Sequence, residues 1–357
     1  MAEPITVLIV DDSRVFRAAL EQALAGQPDI AVVGSVFSGV KALEFIRANP
    51  PDVVTLDVEM PGMDGLATLQ EIQAFNRTRP AAPAVGAIMV SAFTRRGAEV
   101  TVRALQAGAF DFVTKPSGGP PAANLAALRA DVLPRIRACA RQHARTAAAP
   151  PAPTAAAARP RVRRPRTVRI IVIGVSTGGP RALATLLPDL CARVDIPILL
   201  AQHMPPDFTR SLAESLARQT QRIVVEAADG ADLRSAQVFV APGGRHLVLR
   251  GAAGALKLGL SDAPPENGCR PSADVLFRSA AAAFGREVLA LILTGMGCDG
   301  TAGLRAVRRA GGYIIAQDEA TSVVWGMPGC AVRAGLADEV HPLPELAAAA
   351  AAIAAGT

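Results

Sequence analysis

An apolar run over residues 170–173 ends in Gly174-Val175-Ser176-Thr177-Gly178-Gly179-Pro180, and that combination allows few folds. β-Branched residues fill a strand, a glycine stops it, and Ser176 stands on the turn that opens a helix. This is the strand–turn–helix unit of a parallel α/β sheet, with the serine at the carboxyl end beside unpaired helix-start N–H groups. Such donors can hold a phosphate or stabilise an oxyanion. The dinucleotide spacing G-x-G-x-x-G fails because Ser176 takes its second glycine position. G-x-S-x-G fits Gly174 to Gly178 and favours a nucleophilic serine. A phosphate cradle and a helix-capping serine are the competing readings of the segment.

At 357 residues the chain is long enough for two domains, and its alanine-rich, aromatic-poor composition suits helices packed on parallel sheets. Residues 5–10 run straight into Asp11 and Asp12 without a signal-peptide pattern, and no apolar run spans a bilayer. Residues 347–355 read as a terminal helix. The expectation is a cytoplasmic protein without membrane insertion. The cysteines Cys139, Cys191, Cys269, Cys298 and Cys330 are scattered, with no C-x-x-C pair. They predict a reducing compartment, with neither a disulfide framework nor a zinc site. The net charge of +6 is matched by Arg159, Arg161, Arg163, Arg164, Arg166 and Arg169, which border a proline- and alanine-rich stretch over 147–165. That stretch reads as a flexible linker, and the chain shows no helix-turn-helix or aromatic platform, so no specific nucleic-acid partner is expected.

Residues 5–116 alternate strands at 7–10, 31–35, 53–56, 87–90 and 109–113 with helices at 13–25, 40–48, 65–75 and 96–107. A parallel sheet follows, with its site at the carboxyl ends of the strands. Polar residues fall there in order: Asp11 and Asp12, then Asp57, Ser91 and Lys115. Carboxylates gathered at one edge repel each other unless a cation joins them, and Mg2+ prefers oxygen ligands. A carboxylate beside Mg2+ can accept a phosphoryl group that a lysine and a hydroxyl stabilise. Capping aspartates and a surface lysine explain any one of these residues, but poorly explain all of them in order.

Over residues 4–121 the sequence resembles the response-regulator receiver family, through Asp57-Val58-Glu59-Met60-Pro61-Gly62-Met63-Asp64-Gly65 and Lys115-Pro116. The resemblance implies a flavodoxin-like fold, Asp57 as phospho-acceptor, and Asp11 and Asp12 joining it at Mg2+. It implies that Ser91 and Lys115 sense the phosphoryl group, and it places Phe112 at the family's switch-aromatic position. Simple packing is the other reading of Phe112.

In the second half, a serine nucleophile needs a base. His143 lies in an Arg-rich helix and His341 beside Pro342, which leaves His203, after a strand at 196–201, and His246, after the turn Ala241-Pro242-Gly243-Gly244-Arg245. Position alone does not choose between them. The acid that orients the imidazole is best sought in Thr294-Gly295-Met296-Gly297-Cys298-Asp299-Gly300, again a strand, a glycine-rich loop and a helix start. Asp299 also fits a helix N-cap. Backbone N–H groups around Met296 can face an oxyanion.

These segments, with Gln202-His203-Met204-Pro205 and Arg270-Pro271-Ser272-Ala273-Asp274-Val275-Leu276-Phe277, resemble the catalytic domain of the chemotaxis protein-glutamate methylesterase family over about residues 168–345. The fold implied is α/β throughout: a flavodoxin-like receiver at 4–121, a closing helix and flexible Ala/Pro/Arg-rich linker at 122–167, and a Rossmann-like hydrolytic domain at 168–352. The resemblance implies Ser176 as nucleophile, His203 as base and Asp299 as its partner, with Thr177 and Met296 at the oxyanion and His246 lining the site or fixing its loop. The implied substrate is a glutamate methyl ester on a methylated chemoreceptor, with glutamine deamidation through the same acyl-enzyme and no cofactor for that step. A chemotaxis histidine kinase is the implied phosphodonor, and the family precedent is a receiver that covers the hydrolase cleft until Asp57 is phosphorylated. The rival readings are a binding-only output domain, a DNA-binding regulator and a small-molecule esterase.

Overall fold

The computed structural model describes residues 3–147, 167–251 and 256–356, in two compact units divided between Pro153 and Thr154. Residues 148–165 of the expected linker, and the arginines Arg159, Arg161, Arg163, Arg164 and Arg166, lie outside the described residues. Arg169 is described: it pairs with Glu287 at 3.4 Å and lies over the Phe284 ring.

The N-terminal unit is a five-stranded parallel sheet in the order β2-β1-β3-β4-β5. The strands are β1 (Ile5–Val10), β2 (Ile30–Val36), β3 (Val53–Asp57), β4 (Gly86–Ser91) and β5 (Asp111–Thr114). They are connected by α1 (Arg14–Leu24), α2 (Gly39–Ala48), α3 (Gly65–Arg77) and α4 (Arg95–Gln106), and α5 (Pro121–Ala147) follows. Val7 to Val10 are fully buried, as in a strand covered on both faces, which is why β1 reads as an unbroken apolar run. Ser13, Ser38, Asp64 and Thr94 each accept a backbone N–H at the start of α1 to α4, so each helix begins at a short polar side chain. Strand order reverses between β1 and β3, and the crevice at that switch point is where such sheets bind ligands.

The C-terminal unit has a seven-stranded sheet in the order β14-β13-β12-β6-β7-β9-β8, parallel throughout. Its elements in chain order are β6 (Ile170–Val175), α6 (Gly179–Arg193), β7 (Ile198–Gln202), α7 (Phe208–Ala217), β8 (Ile223–Glu226) and β9 (Gln237–Val240). An antiparallel hairpin of β10 (His246–Arg250) and β11 (Lys257–Ser261) follows, then α8 (Ala273–Phe284) and β12 (Val288–Ile292). The chain ends with α9 (Thr301–Arg309), β13 (Tyr313–Gln317), α10 (Met327–Arg333), β14 (Glu339–His341) and α11 (Leu346–Ala354). From β6 the chain first builds toward β7 and later returns on the other side as β12. The switch point therefore lies between β6 and β12. Ile170, Val172 and Leu199 face Phe277 and Leu304 in one apolar core. The strand expected from 196 begins at Ile198, after Pro197, which has no N–H to give the ladder.

One expectation is corrected. Cys298 and Cys330 form a disulfide across 32 residues of sequence. Spacing could not pair them, because they meet only where α10 packs beside the loop after β12.

Candidate active site

Ser176 follows β6 in a turn held from both sides. Its N–H donates to the Thr294 carbonyl at 3.0 Å, and its own carbonyl accepts from Gly179 N at 2.8 Å. Gly178 sits at φ +79°, and a Cβ there would lie 2.6 Å from the Val323 side chain, so both backbone and space require glycine. Gly295 allows the neighbouring loop to approach, since a Cβ on it would be 2.8 Å from Ser176 Cβ. Buried Gln202 ties the two strand ends together: its Nε2 donates to the carbonyls of Ser176 at 3.0 Å and His203 at 3.3 Å. Among the described residues the Ser176 hydroxyl makes no hydrogen bond.

His203 follows β7 and meets Asp299, from the loop after β12, with Nε2 and Oδ2 2.7 Å apart. Asp299 is 2% exposed and collects donors densely. Ser272 Oγ donates to Oδ1 at 2.7 Å, Ala273 N to Oδ2 at 2.6 Å, Asp274 N to Oδ1 at 3.3 Å, and Asn267 Nδ2 to Oδ1 at 3.1 Å. The carboxylate thus sits on the first turn of α8, where unpaired N–H groups and the helix dipole favour negative charge. Asp274 returns the arrangement by accepting Gly303 N from α9 at 2.6 Å. Burial opposes charge on Asp299, but the His203 bond and the helix-start donors outweigh it and hold the carboxyl well below the usual range. Burial likewise opposes charge on His203, yet Asp299 and then Cys269 push its pKa up to about 9. The other ring nitrogen, Nδ1, faces Cys269 Sγ at 3.4 Å.

His246 does not meet Asp299 directly. It is fully buried, with Nε2 3.1 Å from the Pro264 carbonyl and Nδ1 accepting from Ser272 N at 3.2 Å. It fixes the turn that aims Ser272 at Asp299. Thr177 is buried, and its carbonyl accepts from Thr294 Oγ1 at 2.9 Å. The Met296 N–H has no acceptor among the described residues. Sequence reasoning gave no role to Gln202, Asn267, Ser272 or Cys269. Their partners are remote in the chain, and the only local signal was the helix start at Ser272-Ala273-Asp274.

In the N-terminal unit, Lys115 Nζ lies 2.7 Å from Asp11 Oδ2 and 2.9 Å from Asp57 Oδ2. Asp11 and Asp57 are buried, Asp12 is exposed, and carboxylate oxygens from the three lie within 4.8 Å of one another. Burial pushes the Asp57 carboxyl up to about 6; Lys115 pulls against this and the Asp11 charge adds to it. Burial alone would lower Lys115, but its bonds to both aspartates raise it. Ser91 is buried at the end of β4, next to β3, and donates to the Ala92 carbonyl at 3.2 Å. Phe112 is buried in β5.

Comparison with known proteins finds the same two domains. Residues 171–350 match the CheB methylesterase family and residues 7–123 the response regulator receiver domain. A protein-glutamate methylesterase/protein-glutamine glutaminase from Nocardioides sp. is 45% identical, covering 96% of this chain and 93% of its own. One from Paramagnetospirillum magneticum, with the same name numbered 1, is 42% identical, covering 97% and 95%. The crystal structure of the Thermotoga maritima CheB methylesterase catalytic domain is 40% identical with a TM-score of 0.51, covering 52% of this chain and 98% of that one. These matches make this chain a member of the CheB methylesterase family, with a receiver domain preceding the methylesterase domain.

Proposed function

We propose that this protein hydrolyses glutamate methyl esters on chemoreceptors with Ser176, His203 and Asp299, and that phosphorylation of Asp57 activates it. The observation that carries the reading is the 2.7 Å bond between His203 and buried Asp299, at strand ends flanking the one that presents Ser176. Asp299 holds one ring nitrogen of His203, which leaves the other to take the Ser176 proton. Serine–base bonds are often long in a resting site and tighten around substrate. Ser176 Oγ attacks the ester carbonyl, and the Thr177 and Met296 N–H groups stabilise the oxyanion. Methanol leaves, and water activated by His203 releases a glutamate carboxylate. The relatives' names also include glutaminase. Glutamine deamidation here would use the same acyl-enzyme and expel ammonia. The receiver occupies 4–121, residues 122–167 connect, and 168–352 carry the hydrolase.

Asp11, Asp12 and Asp57 present the hard oxygen donors that suit Mg2+. When bound, the ion neutralises charge on the transferring phosphoryl group. Asp57 is the acceptor, Lys115 pairs with the phosphoryl oxygens, and Ser91 and Phe112 report the change. A histidine kinase is the donor. No helix among the described residues is long and apolar enough to cross a membrane.

Acetyl phosphate with Mg2+ is expected to stimulate methanol release from methylated receptor membranes severalfold. Asp57→Ala should abolish the stimulation, and a variant stimulated like the wild type would remove Asp57 from the switch. A second expectation follows from His203. The base must be neutral, and its pKa is raised to about 9, so kcat/KM should climb with pH through neutrality and level off above about 9. A flat profile over the same range would count against His203 as base.

A further inference from the structure

We infer that the hydrolase centre is also a binding site for a thiophilic divalent cation of the zinc type, held by Cys269 Sγ and His203 Nδ1. Occupancy would silence His203, and this inhibitory half rests on reading His203 as the base. The binding half rests on geometry alone.

Sγ and Nδ1 are 3.4 Å apart. In a tetrahedral zinc site, with Zn–S about 2.3 Å and Zn–N about 2.05 Å, the edge between those donors is about 3.6 Å. The pair is therefore already spaced as two corners of such a site. The opposite ring nitrogen bonds Asp299 Oδ2 at 2.7 Å. Metal-binding histidines are held in this way, because a carboxylate on the far N–H turns the other lone pair toward the metal and makes it more basic. Asp299 completes a His203–Cys269–Asp299 group whose donor atoms all lie within 4.8 Å of one another. Its oxygens already receive Ser272, Ala273 and Asn267, so its part is to orient His203 rather than to bind the cation.

Access also singles out this thiol. Cys139 and Cys191 are buried and Cys298 is joined to Cys330, whereas Cys269 is half-buried. Without a cation the thiol has only weak partners, the His203 nitrogen and the Asn267 carbonyl at 3.6 Å. Water can fill the remaining corners. Because Asp299 occupies Nε2, the lone pair offered to the cation is the one that would take the Ser176 proton.

The test is a Co2+ titration of the full chain without reductant, so that Cys298 and Cys330 stay joined. The expected result is a thiolate-to-cobalt charge-transfer band that Zn2+ displaces and EDTA removes. Cys269→Ser should lose the band, while Cys269→His should still bind Co2+ but without it. No band in the wild type, or an undiminished band in Cys269→Ser, would overturn the site. In parallel, Zn2+ inhibition of methanol release is measured against each variant's own zinc-free rate. Cys269→Ser should need about tenfold more zinc or beyond; equal sensitivity would overturn the inhibitory role. The band does not depend on turnover, so failure of the triad reading and failure of the metal site are separable.

Discussion

Ser176→Ala is expected to reduce methanol release by about 10,000-fold or more while leaving the fold intact. The substitution removes the attacking oxygen, and the adjacent hydroxyl, that of Thr177, is buried. The residual rate would come from the Thr177 and Met296 donors and from substrate binding, which persist when a nucleophile is deleted. Structural damage should be slight. The hydroxyl makes no hydrogen bond among the described residues, and the backbone bonds to Thr294 and from Gly179 do not involve it. Stability should stay within about 0.5 kcal/mol of the wild type. Methanol release and thermal unfolding on one preparation test both statements, and a rate loss below about tenfold in a folded variant would remove Ser176 as nucleophile.

Asp299→Asn should damage both rate and fold. An amide has one acceptor oxygen where the carboxylate has two, and its NH2 would face either His203 and Ala273 at the Oδ2 position or Ser272, Asn267 and Asp274 N at the Oδ1 position. Buried donors left without acceptors cost about 1–3 kcal/mol each, so a loss of about 2–4 kcal/mol is expected by denaturant unfolding. The rate should fall by about 10,000-fold, as when an orienting aspartate becomes an amide and the histidine takes the wrong tautomer. pH separates charge from shape. The Asp299 pKa is depressed below its unfolded value of 3.8, so its stabilisation is present above that pH and fades as pH falls. The stability gap between wild type and variant should therefore narrow on acidification below about pH 4. A gap that stays constant would assign the loss to packing.

Much of this arrangement was legible because the informative signals are local. Ser176, His203 and Asp299 each follow an apolar run at a turn, and a buried parallel strand cannot be written in many other ways. The same logic placed Asp11, Asp57, Ser91 and Lys115 at the ends of β1, β3, β4 and β5. The helix starts expected at 13, 40, 65 and 96 fall within one residue of those found, at Arg14, Gly39, Gly65 and Arg95. Less was visible between β7 and α8. The short strands β8 and β9 and the β10–β11 hairpin carry weak periodicity, and Ile223 and Val225 on β8 stay exposed. The glycine turn before His246 and the segment Arg270-Pro271-Ser272 marked that region.

The sequence by itself determined the βαβ rhythm, the polar residues at the two sets of strand ends and the place of Ser176 on its turn, because these depend on residues close together in the chain. The tertiary structure decided the pairings. His203 meets Asp299 across 96 positions and Cys269 across 66, while His246 is drawn away to Pro264 and Ser272. Cys298 finds Cys330 only where α10 lies beside the loop after β12. Those encounters follow from strand order, with β6 set between β12 and β7, and no spacing along the chain encodes which strands become neighbours.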